Sequence, residues 1–186
     1  ISVLNTSCPD LNILLLNVDQ PSITEKLMNN DLDTAFVIEP IYHRNIECHK
    51  IGKEEMQLIL SANHFLAQST EPIELKDLEG ENLICYEPYY ENLRSNILVN
   101  INHKGRLITT QIGVVKQFLK QNQGITFLPP FTVKNEIERG ELVNKEIGKF
   151  NLEPIEYYLV CRLNERYFED ILLTDMTADI FSPKAS

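Results

Sequence analysis

The sequence predicts an α/β fold, and two stretches carry the prediction. In residues 111–129, QIGVVKQFLKQNQGITFLP, Val114, Val115, Phe118 and Leu119 recur at helical spacing. Gly124 and an apolar run, Ile125, Thr126, Phe127 and Leu128, follow, closed by Pro129 and Pro130. This reads as helix, tight turn and buried strand, because proline cannot donate to a sheet ladder. The second stretch, residues 11–40, reads as strand, helix, strand. Buried strands of this kind belong to sheets covered by helices, where ligands sit beside strand ends and helix N-termini. With 186 residues, 43% of them hydrophobic, the chain can bury a sizeable core as one domain or two small lobes.

In order along the chain, residues 11–18 (LNILLLNV) have the length and apolar density of a strand. Ser22 is placed to cap a helix, Glu25 completes a capping box, and Ile23, Leu27 and Met28 form its buried side until Asn29 and Asn30. Residues 34–38 form the next strand, closed by Pro40. Such a unit crosses over right-handed, which puts the 17–20 and 38–40 ends on one edge, where a ligand is expected.

Residues 46–51 read as a partly exposed strand, 54–61 as a more buried one, 74–78 as a helical turn and 82–86 as another strand. Pro88 stops that strand, and Leu93, Ile97, Leu98 and Ile101 space out a helix that Gly105 ends. Residues 106–110 form a strand. Thr110 is then placed to cap the helix that begins at Gln111 and Gly124 to stop it in a left-handed turn. A short charged helix at 132–139 and strands at 141–147 and 155–163 follow. Residues 166–181 close the chain as a helix, with Phe168, Ile171, Leu172, Met176 and Ile180 on one face.

Composition narrows the function. A formal charge of -10 repels phosphate backbones and anionic lipid, so this chain is not expected to hold DNA by itself. No apolar run approaches the roughly 20 residues of a membrane helix. Cys8, Cys48, Cys85 and Cys161 lie far apart without a CxxC, and no signal peptide precedes them, so a reduced, cytoplasmic setting is expected. His43, His49, His64 and His103 show no ligand spacing, so neither metal nor cofactor is expected. Without a nucleophile beside a base or a Gly-rich phosphate loop, the chain is not expected to be an enzyme.

Several landmarks occur in one recognisable order. Pro9 and Asp10 lead an apolar strand, and NNDLDTAFV follows at 29–37, LILSANHFLA at 58–67 and ELKDLEGENLI at 74–84. Then come TTQIGVVKQFLKQNQGITFLP at 109–129 and ERGELV at 138–143. In this order and spacing, over nearly the whole chain, the sequence resembles the effector-binding domain of LysR-type transcriptional regulators. One departure is Asn122, where the family has the first glycine of a Gly-x-Gly element. Asn tolerates the left-handed conformation of a helix end.

The resemblance implies a two-lobe, periplasmic-binding-protein-like (type 2) fold with mixed sheets. Lobe I would be 1–62 with 153–186 and lobe II 63–152, with the family's first strand and its DNA-binding helix-turn-helix outside this chain. It also implies a small-molecule effector in the cleft between lobes, a homodimer or homotetramer, and DNA contact only through the absent helix-turn-helix. Carried over by position, effector contacts fall at Val37, Ile38 and Glu39, at Tyr86, Glu87 and Pro88, and at Thr109, Thr110 and Gln111. A helix N-terminus with hydroxyls suits a carboxylate or phosphate; that Thr110 is only a helix cap is the competing reading. Arg94 and Arg106 are candidates to hold an anion, or surface ion pairs. Tyr89 and Tyr90 are either pocket wall or core or interface packing, and Glu39 and Glu87 either an acid–base pair or solvated or cation-binding side chains. Two alternatives share the scaffold: a transporter's solute-binding protein, and an enzyme.

Overall fold

A computed structural model describes residues 10, 12–148, 150 and 152–163. The chain divides into two compact units, Ile1–Lys53 with Glu156–Ser186, and Glu54–Ile155.

The first unit is built on helix α1, Gln20–Met28, with Pro21 in its first turn. Ile23 and Leu27 fall one helical turn apart, and both are buried against Val37, Ile46 and Val160. Full burial of each such side chain contributes about 1.5–3 kcal/mol. Strands β1 (Thr34–Val37), β8 (Ile155–Arg162) and β2 (Ile46–Glu54) form a sheet in the order β1-β8-β2. β1 and β8 run antiparallel, with Thr34 opposite Cys161 and Val37 opposite Tyr158.

Two expectations fail here. Residues 12–18 form no strand, and Ile13, Leu14, Leu15 and Leu16 are exposed. An apolar run becomes a strand only by bonding to another strand, and none pairs with it among the described residues. The expected strand–helix–strand crossover is therefore absent from them. Ser22 is not the helix cap: α1 starts earlier, because Pro21 presets the helical φ, and Ser22 Oγ donates to the Asp19 carboxylate at 2.7 Å.

The second unit holds a mixed sheet. β3 (Gln57–Ser61) lies between β6 (Thr126–Leu128) and β7 (Leu142–Lys145), antiparallel to both. β4 (Asn82–Tyr86) and β5 (Gly105–Thr109) are parallel. A parallel bridge, Leu83 to Ile125, joins the two sets, with Ile125 N–H donating to Asn82 O and Ile84 N–H to Ile125 O, both at 2.9 Å. The strands thus run β5-β4-β6-β3-β7 across the unit.

Helix α2, Tyr90–Leu93, continues as a wider π turn, Arg94–Leu98, and ends well before Gly105, which opens β5 instead. Helix α3 is Ile112–Lys120, with Val115 and Leu119 buried, and α4 is Lys134–Glu138. The left-handed residue after α3 is Asn122 (φ 54), not Gly124. Gly124 serves another need: a Cβ there would lie 2.5 Å from the Asn82 carbonyl oxygen, so only glycine lets the 124–125 backbone approach β4. The expected helix at 166–181 lies outside the described residues.

Candidate functional site

β4 and β5 end side by side, Tyr86 opposite Thr109, so residues far apart in sequence share the C-terminal edge of a parallel pair. From there the chain enters α3 after two residues. The Thr109 hydroxyl accepts the Gln111 N–H at 3.1 Å, which turns the backbone. Gln111 is the N-cap, extended at φ -102, and no side chain caps the helix. Thr110 is exposed and does not cap α3, because Thr109 has taken the neighbouring amide and the helix starts at Ile112.

Val114 N–H returns to Gln111 O at 3.0 Å, whereas the amides of Ile112 and Gly113 come too early in the helix for an intrahelical acceptor. These donors and the positive end of the helix dipole follow directly on the C-terminal end of β5, with Thr109 and Thr110 just before them in the chain. Such an arrangement can hold a carboxylate or phosphate oxygen.

On the β4 side, Tyr86 is half-buried and its ring meets Tyr89 edge-on, centroids 5.3 Å apart. Burial, and then the Glu87 charge, raises the Tyr86 hydroxyl's pKa, which keeps it a neutral donor. Glu87 and Pro88 are exposed in a 3-10 turn, Glu87–Tyr89, while Tyr89 is buried and belongs to the core.

Arg106 donates to the Tyr90 hydroxyl and lies 5.7 Å from the centroid of that ring. Arg94 pairs with Glu91 at 2.7 Å, and that hydrogen bond raises its pKa. Both guanidinium groups are thus engaged by their own neighbours.

In the first unit, Val37 is buried in the core, Ile38 is half-buried and Glu39 is exposed. Gln20 Nε2 donates to Glu39 O at 3.1 Å, so the start of α1 lies near the end of β1, although no strand precedes the helix among the described residues. Glu39 and Glu87 fall in different units.

One constellation escaped the sequence reading. His64, 4% exposed at the end of β3, accepts the Leu66 N–H on Nδ1 at 3.3 Å. Nε2 on the other side of the ring faces Glu81 Oε2 at 3.3 Å. With both ring nitrogens engaged, His64 ties the β3 turn to the start of β4. No short-range spacing announces a partner 17 residues away in sequence.

Cys85 is buried on β4, and burial pushes its thiol up to about 11, with Arg106 pulling slightly the other way. Among the described residues, no three His, Cys, Asp or Glu side chains gather as metal ligands, and no helix is long and apolar enough to cross a membrane.

Comparison with known proteins agrees with this architecture. The family model described as "LysR substrate binding domain" matches residues 1–167. The Hca operon transcriptional activator HcaR of Escherichia coli is 24% identical over 146 residues, 75% of this chain and 48% of that protein. The chain spans about half the length of the curated relatives it matches. Among solved structures, the reduced OxyR regulatory domain from Pseudomonas aeruginosa superposes with a TM-score of 0.78 at 12% identity, covering 99% of this chain and 88% of that one. The regulatory domain of Synechocystis PCC6803 CcmR, in complex with 2-PG, gives 0.74 at 20% identity, covering 96% and 89%. The fold is that of these regulatory domains, and the family match over most of its length makes this chain a member of the LysR substrate binding domain family.

Proposed function

We propose that this chain is the effector-binding regulatory domain of a LysR-type bacterial transcriptional regulator. It binds a small, anionic metabolite and thereby controls DNA binding and transcription by the full-length protein. The observation that carries the reading is the junction of Tyr86, Thr109, Thr110 and Gln111 with the uncapped start of α3. Backbone amides at a helix start and neighbouring hydroxyls are neutral donors, which suits an anion of modest charge. The CcmR regulatory domain, solved with 2-PG, supports a small-molecule ligand for this fold.

Effector contact is assigned to Thr109, Thr110, Gln111, Tyr86, Glu87 and Pro88 on the second unit, and to Val37, Ile38 and Glu39 on the first. The lobes are proposed as 1–62 with 153–186, and 63–152, a division that differs from the compact units at residues 54–62 and 153–155. The full-length protein acts in the cytoplasm as a homodimer or homotetramer, touches DNA through a helix-turn-helix outside this chain, and catalyses no reaction. Relatives named as transcriptional activators support this over a transporter or enzyme role.

The test is a thermal-shift screen of the full-length protein against carboxylates of central metabolism, amino acids and inorganic anions. A ligand at a hundred times its Kd adds about 2.7 kcal/mol. Thr110→Ala, which removes an exposed hydroxyl, is expected to weaken binding about tenfold, or ~1.4 kcal/mol, with the melting temperature of the free protein unchanged. A screen in which nothing shifts, or a binder that Thr110→Ala and Gln111→Ala leave untouched, overturns the assignment.

A further inference from the structure

We draw no further inference here: the strongest candidate, the outer edge of β5 with its exposed Arg106 and Ile108 side chains, pairs with no strand among the described residues, and nothing in the structure shows what covers it.

Discussion

Gly124→Ala tests the joint that makes one sheet of two. The added Cβ would sit 2.5 Å from the Asn82 carbonyl oxygen, 3.1 Å from Asn82 Cβ and 3.1 Å from Ile84 Cδ1. An ordinary carbon–oxygen contact is about 3.3 Å or more, so the 124–125 backbone must retreat from β4 by about 0.8 Å. The carbonyl that is struck also accepts the Ile125 N–H at 2.9 Å, and a retreat of that size carries this bond past hydrogen-bonding range. Losing it costs about 1 kcal/mol, and forcing atoms into a packed site costs about 1–3 more. Gly124 also sits at φ 154, outside the usual range of L-residues. A loss of about 3 kcal/mol follows, which for a protein of this size lowers the melting temperature by roughly 6–12 °C. Urea denaturation followed by circular dichroism measures it. The control is Gly113→Ala in the first turn of α3, where a Cβ meets nothing within 4 Å; it should be neutral or stabilising by up to ~1 kcal/mol. If Gly124→Ala stays within 0.5 kcal/mol of the parent (a margin of roughly half the cost of one hydrogen bond), the close approach of residue 124 to β4 is wrong.

Three further outcomes follow from named contacts. His64→Ala strips Glu81 and the Leu66 amide of their partner in a buried place, at a cost of about 2–3 kcal/mol in chemical denaturation. His64→Asn, which can keep an acceptor near Leu66, should recover part of that, and equal losses in the two variants would refute the capping role. Burial raises the Glu136 carboxyl, but the Lys116 hydrogen bond, a backbone bond and the charges of Lys116 and Lys120 together outweigh it, and its pKa is lowered on folding. The pair therefore stabilises above the ordinary carboxylate pKa and is lost as pH falls through the lowered one. Lys116→Met should cost about 0.5–1 kcal/mol at pH 7 and nothing in acid, and a deficit that persists in acid would point to packing instead. With its thiol near 11 rather than 9.0, Cys85 should react with iodoacetamide at pH 8 about a hundredfold more slowly in the folded protein than in urea. Equal rates, followed residue by residue by mass spectrometry, would contradict its burial.

Where local chemistry decides an element, the sequence was readable. β4 ends at Tyr86 because Pro88 cannot extend it, and α3 follows its apolar spacing through Val115 and Leu119. The all-buried run of β6 is visible as a short β-branched and aromatic segment beside Pro129. Where the outcome depends on a distant partner, the reading failed. Residues 12–18 carry strand-like side chains, yet strand formation needs a neighbour that the sequence does not specify. Ser22 looked like a cap until Pro21, one residue before it, set the helix to start earlier. Gly124 was read as a helix stop because glycine commonly plays that part; Asn122 plays it, which frees Gly124 for the approach to Asn82.

The candidate site divides along the same line. That Thr109, Thr110 and Gln111 lead a helix is legible, since hydroxyl and amide side chains before an amphipathic run mark an N-terminus. Which of them the helix consumes is not legible, because Thr109 and Thr110 are chemically alike and only backbone direction separates them. Thr109 lies on the ladder opposite Tyr86, so its hydroxyl is held where it can take the Gln111 amide. Thr110, one residue further and off the ladder, is left exposed. The difference between the two threonines thus follows from their place in the strand: one shapes the turn, and the other keeps an exposed hydroxyl.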